Sequence, residues 1–354
     1  MMTATESLHT AARRYCIDRA KYWRAKYAEI EKRNERPATL GLLAKLGLTV
    51  QHQTREGSAT FPRYKILDAI LIEVERRIGE EFPSLPDMKL WLIAAAQSAY
   101  EEEARPPDLV MSSMKEAFSP DVRERLQALG RKAKIVLGHE SEIDRTLQNG
   151  AMKDECDSFA AYLNGLSSDG LANIEGLAYR RTLRDNESDR LWSLLGSRWG
   201  VDGQWYPTDR GGEDAPPEDT VAFQAAPFFD NRLVEAIQGV LRREGVTRVY
   251  ELREFASSAN YELDIELLRP WYTLDEGYWL DDSADWILYA SHEGSVTVGG
   301  ARLLPALKEV WSNWYEYVYA ARALGVEREV GPGVMSTSVH VAPPPGDDSA
   351  STSD

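Results

Sequence analysis

Cysteine is nearly absent: Cys16 and Cys156 are the only two in 354 residues. Two thiols, neither in a C-x-x-C pair, exclude a disulfide framework and a four-sulfur metal centre. Both are flanked by helical pattern, where a free cysteine packs as a small hydrophobe. Lysine is scarce too, 11 against 30 arginines, and none occurs between Lys153 and Lys308. That gap withholds from the second half the lysine that restriction-type nuclease and Schiff-base chemistry need, unless the first half supplies one. No apolar run reaches the ~18–20 residues required to span a bilayer. Residues 1–14 show no apolar h-region and no cleavage-type stretch, so a cytoplasmic protein with no membrane partner is expected. The arginine bias points to a GC-rich bacterial source.

Catalytic motifs are missing as well. There is no G-x-x-x-x-G-K-[ST] loop, no G-x-S-x-G elbow and no H-E-x-x-H pair. The five histidines, His9, His52, His139, His292 and His340, stand apart in sequence. Gly299-Gly300 is read as turn geometry and not as a phosphate loop. No cofactor is expected.

What remains is ordinary globular composition, 43% hydrophobic and 28% charged, with a strong internal division. Residues 1–150 carry a net charge of +2, while residues 151–354 carry −18, and eight of ten tryptophans lie beyond position 190. Such an acidic surface repels nucleic-acid phosphates and anionic lipid. Arg13, Arg14, Arg19, Lys21, Arg24 and Lys26 alternate with aromatics, as in a nucleic-acid patch. The interspersed Asp18, Glu29, Glu31 and Glu35 favour a salt-bridged face instead, making nucleic acid an unlikely partner.

Hydrophobic spacing predicts helices over residues 6–36, 63–81, 84–104, 140–166, 186–199, 228–244 and 303–322, with a further one opening at Ser119-Pro120. Residues 37–62 read as a loop around a short helix near 40–46, residues 209–219 as a surface loop, and the 140–166 helix as interrupted near Gly150. Ser84 and Asp87 form a capping-box pattern. Asp230 reads as a cap, and Gly200 and Gly245 as helix stops. Between 247 and 298 the period changes to two, predicting strands at 247–255, 261–268, 278–280, 286–290 and 295–298. Their close spacing favours an antiparallel meander with helices on one face. The expected fold is α+β: a helical domain (1–166), an α+β domain with a four- to five-stranded sheet (167–325), and a disordered tail (326–354).

Two groups of residues are candidates for function. Trp271, Tyr272, Tyr278 and Trp279, next to Asp281 and Asp282, resemble the exposed rings and acidic rim of a protein-binding hot spot. Ser291-His292-Glu293 lies between two predicted strands, where His292 could act as a general base with Glu293 beside it. Glu262, Asp264 and Glu266 project at two-residue steps from one strand face. With His292 they could hold a divalent cation, the set a metal-dependent hydrolase or nuclease would use. The expected function is a non-catalytic bacterial interaction protein of the immunity, antitoxin or phage-defence accessory type. Its acidic C-terminal domain would bind a basic protein partner, and its N-terminal helices could form a homodimer.

Overall fold

In the computed structural model, residues 2–33, 55–104, 142–201, 219–255, 258–273 and 275–319 are described. Four long helices form the first region: α1 (Ala4–Arg33), α2 (Arg55–Val74), α3 (Leu85–Glu103) and α4 (Glu142–Gly165). Their apolar stripes meet in one core, with Leu8, Ala12 and Cys16 from α1, Ile66, Ile70 and Val74 from α2, Leu92 and Ala96 from α3, and Phe159 and Leu163 from α4. Both cysteines are buried and free. Burial pushes the Cys156 thiol up to about 12 and Cys16 well above its ordinary value, so neither is a ready thiolate.

Several boundaries differ from expectation. Helix α2 begins at Arg55, continues through Pro62 and ends at Val74. It stops short of residue 81, the chain turning at 75–77, and Gly79 then passes so close to α1 that a Cβ there would lie 2.7 Å from Glu6 Cα. Residues 79–81 form a separate 3-10 turn. Helix α4 is unbroken at Gly150. The Ser84 cap forms as expected, its hydroxyl accepting the Asp87 N–H at 3.3 Å. The short helix near 40–46, the helix opening at Ser119, most of the 209–219 loop and the tail lie outside the described residues.

After a one-turn helix, α5 (Ser168–Ala172), the second region builds an antiparallel seven-stranded sheet, giving the α+β fold. The strands are β1 (Arg180–Thr182), β2 (Thr220–Gln224), β3 (Arg248–Arg253), β4 (Tyr261–Asp264), β5 (Gly277–Leu280), β6 (Ile287–Ser291) and β7 (Ser295–Gly299). Their order is β1-β4-β3-β5-β6-β7-β2. The simple meander is thus corrected twice. Strands β1 and β2 add to the two ends of the sheet, and β5 pairs with β3, leaving β4 on the far side of β3.

Helices cover both faces, where only one covered face was expected. Alternating strand residues explain this. Trp279, Leu288, Ala290, Val296 and Val298 pack under α7 (Asn231–Arg243) and α8 (Leu303–Val310). Leu252, Tyr278, Leu280, Ile287 and Tyr289 pack under α6 (Asp185–Trp199). Each fully buried leucine, isoleucine or valine among them stabilises the fold by about 1.5–3 kcal/mol. Asp230 caps α7 through the Arg232 N–H at 2.9 Å. Gly200 closes α6 in the left-handed conformation, φ 70°. Helix α8 ends at Val310, well short of 322. Trp311 and Trp314 then turn back onto Phe223, and Val318 forms a bridge with that residue on the free side of β2.

Candidate functional site

Three strands finish together at one end of the sheet. Arg253 of β3 pairs with Gly277 of β5, which pairs with Ala290 of β6. One register step further on sit Glu254, Glu276 and Ser291. The Glu254 N–H donates to the Glu276 carbonyl at 3.1 Å, and Ser291 Oγ donates to Glu276 Oε1 at 3.2 Å. The tight turn after β6 has Gly294 at φ 76°, the left-handed region that suits glycine, and brings His292 back over the same carboxylate.

Glu276 is only 7% exposed and accepts from four donors. These are Tyr289 OH, Ser291 Oγ, the His292 N–H at 3.3 Å and His292 Nδ1 at 2.5 Å. A carboxylate only accepts, so Nδ1 carries a proton, and in the neutral ring Nε2 keeps its lone pair. The imidazole itself is 53% exposed. The result is an oriented ring with one nitrogen anchored.

The electrostatics of this end are unusual for the molecule. Burial pushes the Glu254 carboxyl up, and the charges of Glu276 and Asp275 add to the shift, with His292 opposing. The Tyr272 hydroxyl moves up for the same reasons, burial first and then Glu276, Asp275 and Glu254. Asp275 is 7% exposed. Its Oδ1 accepts the Phe255 N–H at 3.1 Å, whereas Oδ2 is buried with no hydrogen-bond partner among the described residues. Among those residues no arginine or lysine pairs with Glu254, Asp275 or Glu276. Arg253, the nearest base in sequence, turns to Glu251 at 2.6 Å and reaches only the Asp275 carbonyl. Like charges on directly opposed strand positions are destabilising, so this arrangement has a cost that packing does not explain. One ring borders it: Tyr272, whose ring centre lies 6.4 Å from that of His292; Phe255, whose N–H Asp275 holds, is 54% exposed.

The hot-spot residues expected from sequence are dispersed. Tyr278 and Trp279 are fully buried on opposite faces of β5, because both faces are helix-covered. Trp271 is half-buried, its Nε1 donating to the Phe228 carbonyl at 2.6 Å. Asp281 caps the β5–β6 turn through Ser283, and Asp282 engages Arg190 and Tyr250 OH at 3.0 Å each. That turn is at the other end of β5. Of the six residues, Tyr272 alone borders the His292 cluster.

The four expected metal ligands do not meet either. Strand β4 lies beyond β3 and β5 from the His292 turn. Glu262 binds Arg181 at 3.0 Å, Asp264 accepts the Tyr179 N–H at 2.7 Å, and Glu266 binds Arg242 at 2.9 Å. Glu266 lies past the end of the strand, in a 3-10 turn (Ile265–Leu267), so the row of three carboxylates is broken. Among the described residues no group of three His, Cys, Asp or Glu side chains could hold a metal ion. Glu293 is exposed, and its N–H donates to Ser291 Oγ at 3.1 Å.

Sequence reasoning missed Glu254, Phe255, Asp275 and Glu276. The signal that could have found them is hairpin arithmetic: once Gly277 faces Ala290, Asp275-Glu276 must fall beside Ser291-His292. No family model, no curated protein and no solved structure matches the chain.

Proposed function

We propose that this chain is a non-catalytic interaction protein whose acidic sheet end binds a basic protein partner. The observation behind this reading is the charge of Glu254 and Asp275, which no basic side chain among the described residues matches, next to the buried Glu276 carboxylate, the exposed Phe255 and the half-buried Tyr272. Opposite charge across an interface accelerates encounter and fixes orientation, and partly buried rings add affinity. The contact surface is thereby moved from the Trp271–Asp282 set to the His292 end. The proposal includes a bacterial cytoplasmic role of the immunity, antitoxin or phage-defence accessory kind. It also includes self-association through the N-terminal helices, where Tyr22 and Leu90 leave large apolar side chains in solvent.

The test compares wild type with the Glu254→Gln/Tyr272→Ala variant in affinity capture from the native host, followed by reconstitution with each purified partner. A basic partner whose affinity falls at least ~10-fold in the variant and declines steeply with salt is expected. Partners held equally by both proteins would overturn the reading.

A second reading rests on the Glu276–His292 bond, since a buried carboxylate orienting an imidazole is how many general bases are held. We propose it only in a metal-free form, because Glu262, Asp264 and Glu266 lie elsewhere. Its test is hydrolysis of activated esters and phosphodiesters, with loss of activity in His292→Ala required.

A further inference from the structure

The acidic sheet end also constrains which basic group it receives. Its acceptors are spread too widely for a point cation: among the described residues no three of them could share a metal ion, whose ligands must converge within about 2.6 Å. A cation that spreads several N–H donors over its surface suits that spacing. Asp275 supplies an independent indication. It is a side chain more than nine-tenths buried, with one oxygen held by the Phe255 N–H and the other lacking any donor among the described residues. Buried acceptors are almost always satisfied, so this oxygen marks a missing donor.

Two further features favour a planar cation. Phe255 is an exposed ring on the chain segment that Asp275 anchors, and Tyr272 stands near the His292 ring. Guanidinium stacks on ring faces, is weakly hydrated, and presents five donors in a fixed fork, whereas ammonium is a strongly hydrated point charge. His292 Nε2 and the Glu254 carboxylate offer acceptors at the surface, and Asp275 and Glu276 add negative potential beneath them.

We propose that the sheet end formed by Glu254, Phe255, Tyr272, Asp275 and His292 is an arginine-recognition site, receiving the guanidinium of an arginine on the partner. This rests on the basic-partner reading and specifies it. The experiment measures fluorescence anisotropy of labelled eight-residue oligoarginine and oligolysine peptides, equal in charge, with the full chain at two salt concentrations. Oligoarginine binds at least ~10-fold tighter, reflecting the fork and stacking that lysine lacks. Asp275→Asn and Phe255→Ala each shrink that preference severalfold, Glu254→Gln weakens both peptides, and the control Glu309→Gln on α8 changes neither. Urea midpoints report whether each variant stays folded, and Phe255→Ala, at an exposed position, keeps the test available if Asp275→Asn does not fold. Equal binding of the two peptides, lost in Glu254→Gln, overturns arginine recognition and leaves the basic-partner reading standing. No binding, or binding indifferent to Glu254→Gln and Phe255→Ala, overturns both.

Discussion

The helical region and the sheet end treat buried carboxylates in opposite ways. Glu75, at 0% exposure, is held between Arg13 and Arg180 at 2.8 Å each. Glu155, equally buried, takes Arg19, Arg63 and the Trp23 indole N–H. Arg24 pairs with Asp68 and Lys26 with Glu29, so these bases of α1 are matched within the protein. At the sheet end only Glu276 holds the His292 imidazole, and among the described residues Glu254 and Asp275 pair with no basic side chain. A fully matched buried charge is a structural device. An unmatched cluster is a standing electrostatic cost, and it is the feature on which the proposed partner contact rests.

The largest test of this contrast is Glu75→Gln. It leaves Arg13 and Arg180 without their carboxylate and lowers stability by about 3–5 kcal/mol, read as the urea midpoint. An unchanged midpoint would mean the pairing is not structural. Next is His9, whose Nε2 lies 3.0 Å from the Val74 carbonyl and whose pKa burial lowers to about 4. The neutral ring is favoured in the fold, so its contribution is complete above the ordinary histidine value of ~6.5 and is lost as pH falls toward 4. Stability should drop by roughly 3 kcal/mol across that window, and His9→Gln should flatten the slope.

The sheet end predicts the reverse sign. Glu254→Gln relieves repulsion and stabilises the fold slightly, by less than about 1 kcal/mol near neutral pH, read as a small rise in melting temperature. Because the Glu254 carboxyl is pushed up, it protonates early on acidification, and the advantage of the variant should shrink as pH falls. A destabilised Glu254→Gln at pH 7 would contradict the unmatched-charge account. Smallest in effect, Cys16 and Cys156 should resist an aromatic disulfide reagent until the protein unfolds, since burial holds both thiols protonated.

Local chemistry made much of the fold legible. Ser84, Asp230, Gly200 and Gly245 mark helix ends through their own side chains or backbone freedom, and all four act as read. Tertiary choices were hidden. Strand β1 has three residues, too few for a period, and the pairing of β5 with β3 is fixed only by packing. The misplaced hot spot has a specific cause. Tyr278-Trp279-Leu280 and Ile287–Ser291 are continuous buried runs, the pattern of strands covered on both faces. Reading only one covered face put their rings in solvent. The site was half legible, because His292 stood out as a polar turn residue while its carboxylate partner depended on register.

Strand β1 fastens the halves of the molecule to each other. The Thr182 N–H donates to the Glu75 carbonyl at 2.8 Å, Thr182 Oγ1 donates to the Ile72 carbonyl at 3.0 Å, and Arg180 clamps the Glu75 side chain while β1 lines β4. An edge that would otherwise invite another chain is thus sealed by the carboxyl end of a helix from the opposite half. Melting the helices would strip that seal away, so heating should give a single cooperative transition, and a fragment beginning at β2 should be prone to clump.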